Sequence, residues 1–500
     1  MTRFTTLRST ACAIALLTAG TAQADVTAAD VWADWQENLA MYGEDGISIG
    51  GEITDGDTLT VSNIVLTADD DVSKVTANMG DLVFTEMGDG TVSVTVADTF
   101  PIVIENTDGG VMTMTVQQSG AKLIVSGTSD ALTYTASADK YGIVVDQISD
   151  WDTTVKADIR LTANDLSGVY TSAGTEMREL MYDVQAASMD VLVDVIPPET
   201  AGDYITLSGK LDGMSAQAAM TLPWSEDLKS PEDMFVEDFA IDGGYSFGQS
   251  NFIFDVKSEG EQTSGTISIA NGSLKGKMDK TAMHYDSLSQ GIAVSANGGG
   301  LPFPIEFGMA EYGIGIDMPL SKTEEPADFG LRVNLTGLTM NDMIWMILDP
   351  NSALPHDPLT FLVDLSGKAS LFVDLLDPEQ AEAMAENAVP VELNALTLNT
   401  MKLSAAGAEV NGAGAFTFDN TDTSTFEGYP RPEGDVTMNI KGANALIDKL
   451  VAMGLLPEDQ AMMGRMMMGM FARTVGDDEL TSKIEINKEG HVIANGQRIQ

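Results

Sequence analysis

Histidine, aspartate and methionine are the residues here with chemistry to offer, and their spacing narrows what each could do. His284, His356 and His491 are the only histidines, and no His-x-x-x-His or His-Glu pairing joins them, so no zinc centre is expected. Asp55-Gly56-Asp57, Asp69-Asp70-Asp71 and Asp477-Asp478-Glu479 offer the oxygen ligands that calcium needs. None falls in an EF-hand or nonapeptide register, so they read first as solvated turns, with calcium as the alternative. No nucleophile elbow, Walker loop or Rossmann glycine pattern is expected, and Gly298-Gly299-Gly300 reads as a turn before Leu301-Pro302. Paired carboxylates are too common in so acidic a chain to mark a glycosidase pair. The expectation is a protein that is not an enzyme and carries no cofactor.

Methionine is the more pointed signal. Seven of the 29 methionines lie between Met453 and Met470, within and just before a helix expected over 458–473. A thioether fills irregular cores and also makes adaptable apolar binding surfaces. Two readings follow: a core helix, which the commoner use of methionine favours, or a lid in which Met463, Met466, Met467 and Met470 line a lipid groove. A copper(I) store is disfavoured, because Gly464 and Gly469 interrupt the series and no His or Cys stands nearby.

The elements that must position these residues are mostly strands. From Gly43 to about Pro319 short stretches alternate apolar residues with Thr, Ser or Asp, among them 58–66, 92–96, 111–116, 122–125, 132–136, 143–148, 154–164, 189–195, 204–211, 216–222, 251–257, 266–270 and 292–296. Turn signals such as Asp55-Gly56-Asp57, Gly88-Asp89-Gly90 and Asp108-Gly109-Gly110 separate them, so the pairing should be largely antiparallel. One helix is expected at 28–42, capped by Asp25 or Thr27, with Val31, Trp32, Trp35, Leu39 and Tyr42 at helical spacing. Its polar side carries only Asp30, Asp34 and Glu37, which suits packing on a sheet better than a membrane anchor. After the Pro-bearing breaks 223–233 and 319–326 the texture changes. A strand (330–337) and helix (339–348) are echoed by a strand (435–442) and helix (443–453), which is an internal strand-helix repeat. Between them lie strands at 359–365 and 369–375, a short helix at 378–386 and the strand-rich stretch 391–418. The fold class expected is mainly β (β-rich α+β), elongated and curved, divided as 1–24, 25–325 and 326–500, with a C-terminal hairpin.

Residues 1–24 have the form of a signal peptide. Arg3 and Arg8 precede the apolar run 11–17, which is too short to span a bilayer, and Ala22-Gln23-Ala24 sets cleavage before Asp25. The single cysteine, Cys12, lies inside this segment. Cleavage leaves 24 basic against 75 acidic residues, a net charge of −51, which repels nucleic acid. At 44% hydrophobic residues the chain can still bury a substantial core. No later stretch reaches transmembrane-helix length. An outer-membrane barrel is disfavoured by the C-terminal helices, by only 6% aromatics and by the Ile499-Gln500 terminus.

Leu403, Gly407, Ala408, Val410, Gly412, Gly414 and Phe416 form a strand pattern similar to the AsmA-like family of periplasmic proteins. Gly490-His491-Val492-Ile493-Ala494-Asn495-Gly496 is similar to the terminal strand of related envelope families. The chain as a whole resembles domain-of-unknown-function family 2125. The AsmA-like resemblance implies a long curved sheet whose apolar face shields lipid tails. The cleavable leader departs from that family's N-terminal anchor. Two functions are therefore expected: a periplasmic carrier of acyl chains, or a structural envelope protein with a packed inner face. The partner expected is lipid or an envelope protein, and the structural alternative carries no small ligand.

Overall fold

The structure is a computed structural model, and it describes residues 25–500 except 41–45, 70–71, 151–152, 198–201, 225–230, 301–302, 378–379 and 381–390. The leader expected at 1–24, part of the 69–71 aspartate cluster and most of the helix expected at 378–386 lie outside the described residues.

A single sheet of 27 strands runs through the chain. Strand Thr58–Asp69 carries Ile47–Ser48 and Gly51–Asp55 on one edge and Ser73–Glu86 on the other. The ladder then splits. Val92–Thr95 and Lys122–Thr128 pair at one end, Thr99–Asn106 and Gly110–Ser119 pair at the other, and both halves rejoin on Ala131–Asp150. The long strands Thr153–Ala173, Met177–Ile196 and Tyr204–Pro223 follow. A second split repeats the first strand for strand: Ala240–Phe247 with Asn271–Asp279, and Ser250–Ser258 with Glu261–Ile269, rejoin on Ala282–Gly298. From there the chain meanders through Ile305–Pro319, Ala327–Met340, Leu359–Leu371, Val391–Ala405, Ala408–Asp419, Arg431–Lys441 and Glu479–Ile486. Every pairing named here is antiparallel, as expected. About 20 rows at roughly 4.8 Å give a ladder about 100 Å long. The accessible surface is 29862 Å², against about 18,000 Å² for a compact chain of this mass, so most of the sheet is one layer thick.

Helix α1 (Ala28–Ala40) packs on one face near the start. Thr27 caps it: its hydroxyl accepts from the Asp30 N–H at 3.1 Å, and Asp30 accepts in return from Thr27. Val31 and Trp32 are buried with Leu59, Val61, Ile64, Phe84, Val92, Val125 and Leu132. Each such side chain contributes about 1.5–3 kcal/mol when fully buried. The helix also shows how the sheet curves. Trp32 Nε1 donates to Glu52 at 2.8 Å, and two residues on, Asp34 meets Arg178 at 2.9 Å. In a flat sheet those partners stand seven rows apart, about 34 Å, three times a helix diameter. The sheet therefore wraps the helix.

Three further α-helices follow among the described residues: α2 (Asp342–Leu348), α3 (Ala443–Ala452) and α4 (Glu458–Phe471). The strand-helix repeat is real in space, because Ala327–Met340 and Arg431–Lys441 both end in a helix at the same edge of the sheet. The structure corrects several strand lengths. Ala131–Asp150 is one strand where two were expected, and so is Tyr204–Pro223. Gly213, with φ +61°, lies inside the second of these without a shift of register, facing the turn that splits its neighbour: the Gly248 N–H donates to Asp212 O at 2.7 Å. Ser73–Glu86 and Thr99–Asn106 are further strands, and Thr58–Asp69 runs beyond the end expected at Leu66.

Candidate functional site

Antiparallel partners point to the same side of a sheet, so the register fixes which residues share a face. One row crosses Tyr134, Tyr170, Tyr182, Ala218, Gly243, Gly276, Tyr285, Ile316, Leu331, Leu365, Leu398, Gly414, Val436, Ile484 and Ala494 without a charged residue. Parallel rows on the same face run through Leu274, Ile314, Val333, Val363, Met401 and Met438, and through Tyr312, Leu335, Phe361, Leu403, Val410 and Ile440. The opposite face reads Asp242, Lys277, His284, Asp317, Gly330, Ser366, Thr397 and, two strands on, Asp435 and Glu485. The sheet thus has one apolar side and one polar side over most of its length.

The apolar side is covered by α1 at its start, where Tyr134 and Leu132 are buried. Further along it is bare: Tyr182, Tyr245, Tyr312, Leu331, Phe361 and Leu403 each leave 37–47% of their surface exposed. Exposed apolar side chains in such number along one face are unusual for a protein exterior.

A buried polar lock closes the covered end. Arg178 Nη1 donates to Asp34 at 2.9 Å and to the Ser172 hydroxyl at 3.1 Å, and Nη2 donates to Glu37 at 2.5 Å. Its guanidinium lies 4.3 Å from the Trp224 ring centroid. The Tyr134 hydroxyl donates to Asp34 at 2.6 Å. Burial, together with that carboxylate, pushes the Tyr134 phenol well above its ordinary value, and burial pushes Tyr170 up to about 12. Tyr170 stacks on Tyr182, with ring centroids 4.7 Å apart. Nothing in the sequence marks this lock, whose ion pair joins residues 144 positions apart.

The expected chemical residues fall apart in space. His284 Nδ1 pairs with Asp317 at 2.5 Å on the polar face, in a groove of about 650 Å³ that also includes Lys277, Arg332 and Asp364. His356 stacks on Trp345 at 4.2 Å, and His491 sits in the C-terminal turn beside Asn487. Among the described residues no His, Cys, Asp and Glu group is arranged to hold a metal ion. The Gly-x-Ser-x-Gly spacing of a nucleophile elbow does occur, at Gly46–Gly50 and Gly244–Gly248, which corrects the motif reading. In both, the serine lies in a strand: Ser48 pairs with Val65, and Ser246 with Ser215 and Ser273. An elbow needs a strand-to-helix turn, so neither is one. Met463, Met466, Met467 and Met470 lie on α4 with 52–62% of their surface exposed, which corrects the core reading of that helix.

An open, single-sheet, mainly β protein with one uncovered apolar face is the class these features define. No helix among the described residues is long and apolar enough to cross a membrane. Residues 316–493 match the model of a family described as an uncharacterized protein conserved in bacteria (DUF2125), so the chain is similar to that family over this segment. The match takes in α2, α3, α4 and the meander that carries them, and leaves the α1 end outside. No curated protein matches the chain.

Proposed function

We propose that this is a non-enzymatic protein of the bacterial envelope, exported by its leader, that shields lipid acyl chains on the apolar face of its sheet. One observation carries the reading: beyond the α1 cap the cross-strand apolar rows continue, and along them Tyr182, Tyr245, Tyr312, Leu331, Phe361 and Leu403 leave 37–47% of their surface exposed. An acyl chain laid along them gains about 0.8 kcal/mol for each methylene it buries. The AsmA-like stretch supports the same reading, since Leu403, Val410, Gly412, Gly414 and Phe416 all belong to this face. A structural envelope protein with a packed inner face fits the α1 end, where the core is closed, and fits the bare rows poorly.

The test is mass spectrometry of organic extracts of the purified protein. Acyl lipid in the wild type and its loss in Leu331→Asp/Leu365→Asp, with the fold intact by circular dichroism, is the expected result. A lipid-free preparation that also takes up no fluorescent fatty acid refutes the proposal.

A further inference from the structure

The apolar helices at one edge of the sheet have no cover of their own. α2 follows the end of Ala327–Met340 and α3 the end of Arg431–Lys441, with the turn between Val391–Ala405 and Ala408–Asp419 between them. The turn lies beside the start of α3 and the segment after α2: a Cβ on Gly442 would lie 2.2 Å from Gly407 O, and one on Gly407 would lie 3.0 Å from the Pro355 ring. This edge turns apolar side chains outward. Met346 and Ile347 of α2 are 63% and 65% exposed, and Leu455 in the α3–α4 turn is 62% exposed. On α4, Met463, Met466, Met467 and Met470 stand at i, i+3, i+4 and i+7 and so share one helix face.

Two observations say what covers the edge. Ile347 and Leu455 bear no ligand atom, so what the patch has in common is apolarity and not soft-metal chemistry. The second is charge. The whole chain has 26 basic against 75 acidic residues, yet between Lys441 and Arg473 there are four basic and three acidic. The negative excess is lost along α3 and α4, where the methionine face lies, although Asp342, Asp349 and Asp357 stand at and after α2 with no basic residue, so a phospholipid surface is not repelled over α3 and α4 within a Debye length. Just beneath the helices the apolar face reaches the same edge through Tyr312, Leu335, Phe361 and Leu403.

We propose that this edge docks on a phospholipid bilayer, with α2 and α4 seating their Met, Ile and Leu side chains at the headgroup boundary. The bilayer would then meet the open end of the apolar face. That last step rests on the acyl-shielding reading; the docking itself does not.

Flotation of the purified protein with vesicles of phosphatidylcholine, alone and with one quarter phosphatidylglycerol, is the experiment. The wild type is expected to float with both. M463Q/M466Q/M467Q/M470Q is expected to lower the bound fraction at least tenfold with an unchanged thermal transition, because these side chains are exposed and Gln keeps helix propensity. The matching Met→Leu variant is expected to keep binding. Wild-type protein left in the aqueous fraction overturns the proposal, as does equal flotation of the Gln variant. Loss of binding in the Leu variant also overturns it, in favour of a thioether-specific ligand. A wild-type oligomer that dissociates in the Gln variant, without flotation, assigns the patch to a second copy and overturns it too. Uptake of a soluble fluorescent fatty acid separates the two readings. The Gln variant should keep that uptake, whereas flotation with no uptake in the wild type supports docking and removes the acyl-shielding reading.

Discussion

Removing Arg178 is the sharpest perturbation of the α1 cap. Its side chain is 7% exposed and that of Asp34 is 9%, so Arg178→Ala strands a buried carboxylate with only Tyr134 and Asn38 as partners. Breaking a buried pair by removing one partner costs about 3–5 kcal/mol. Lost packing against Trp224 adds to this, since the guanidinium sits 4.3 Å from that ring. Asp34→Ala leaves Arg178 with Glu37 and Ser172 and costs less. The double variant should fall short of the sum by about 1–3 kcal/mol, as expected of groups in one network. Urea unfolding followed by tryptophan fluorescence reads the event directly, because Trp32 and Trp35 lie in α1. The exposed pair Arg160–Asp158 is the control, and Arg160→Ala should cost under about 1 kcal/mol. A cost below about 1 kcal/mol for Arg178→Ala, or strict additivity in the cycle, refutes the lock.

Other consequences are as open to measurement. The Asp349 carboxyl lies below its ordinary value because the Leu354 and Ala353 N–H groups donate to it at 2.6 and 2.9 Å. A depressed folded value means that its stabilising effect is present above the unfolded carboxylate value, about 3.9, and is lost as pH falls through the folded one. Below about pH 4 the wild-type urea midpoint should therefore fall more steeply than that of Asp349→Asn. Gly442 has φ +69° and no room for a Cβ beside Gly407 O, so Gly442→Ala should loosen α3 and raise its amide hydrogen exchange while leaving Ala131–Asp150 protected. Exported protein should begin at Asp25 by N-terminal sequencing; a chain that begins at Met1 contradicts the leader.

What was legible in the sequence was local. Val436, Met438 and Ile440 alternate, and they do lie in a strand with one face apolar. The strand-helix repeat was legible because Gly442 and Pro457 punctuate it. Strand length was not, because Asp212-Gly213 has the same composition whether the chain turns there or runs on through the strand. The apolar face was hidden for a deeper reason. It arises from register between strands, as in the pairing of Ile316 with Leu331 and Leu331 with Leu365, and a slip of one residue would send the same side chains to the other face. Methionine content could not separate core from surface on α4, since both uses want the same apolar side chain.

If the sheet shields acyl chains as proposed, photo-crosslinking with a diazirine fatty acid reads directly which side they meet. After irradiation and digestion, label is predicted on Ile316, Leu331, Leu365 and Leu398, and not on their polar-face neighbours Asp317, Gly330, Ser366 and Thr397. Label spread evenly over both sets, or none above the level given by urea-unfolded protein, contradicts it.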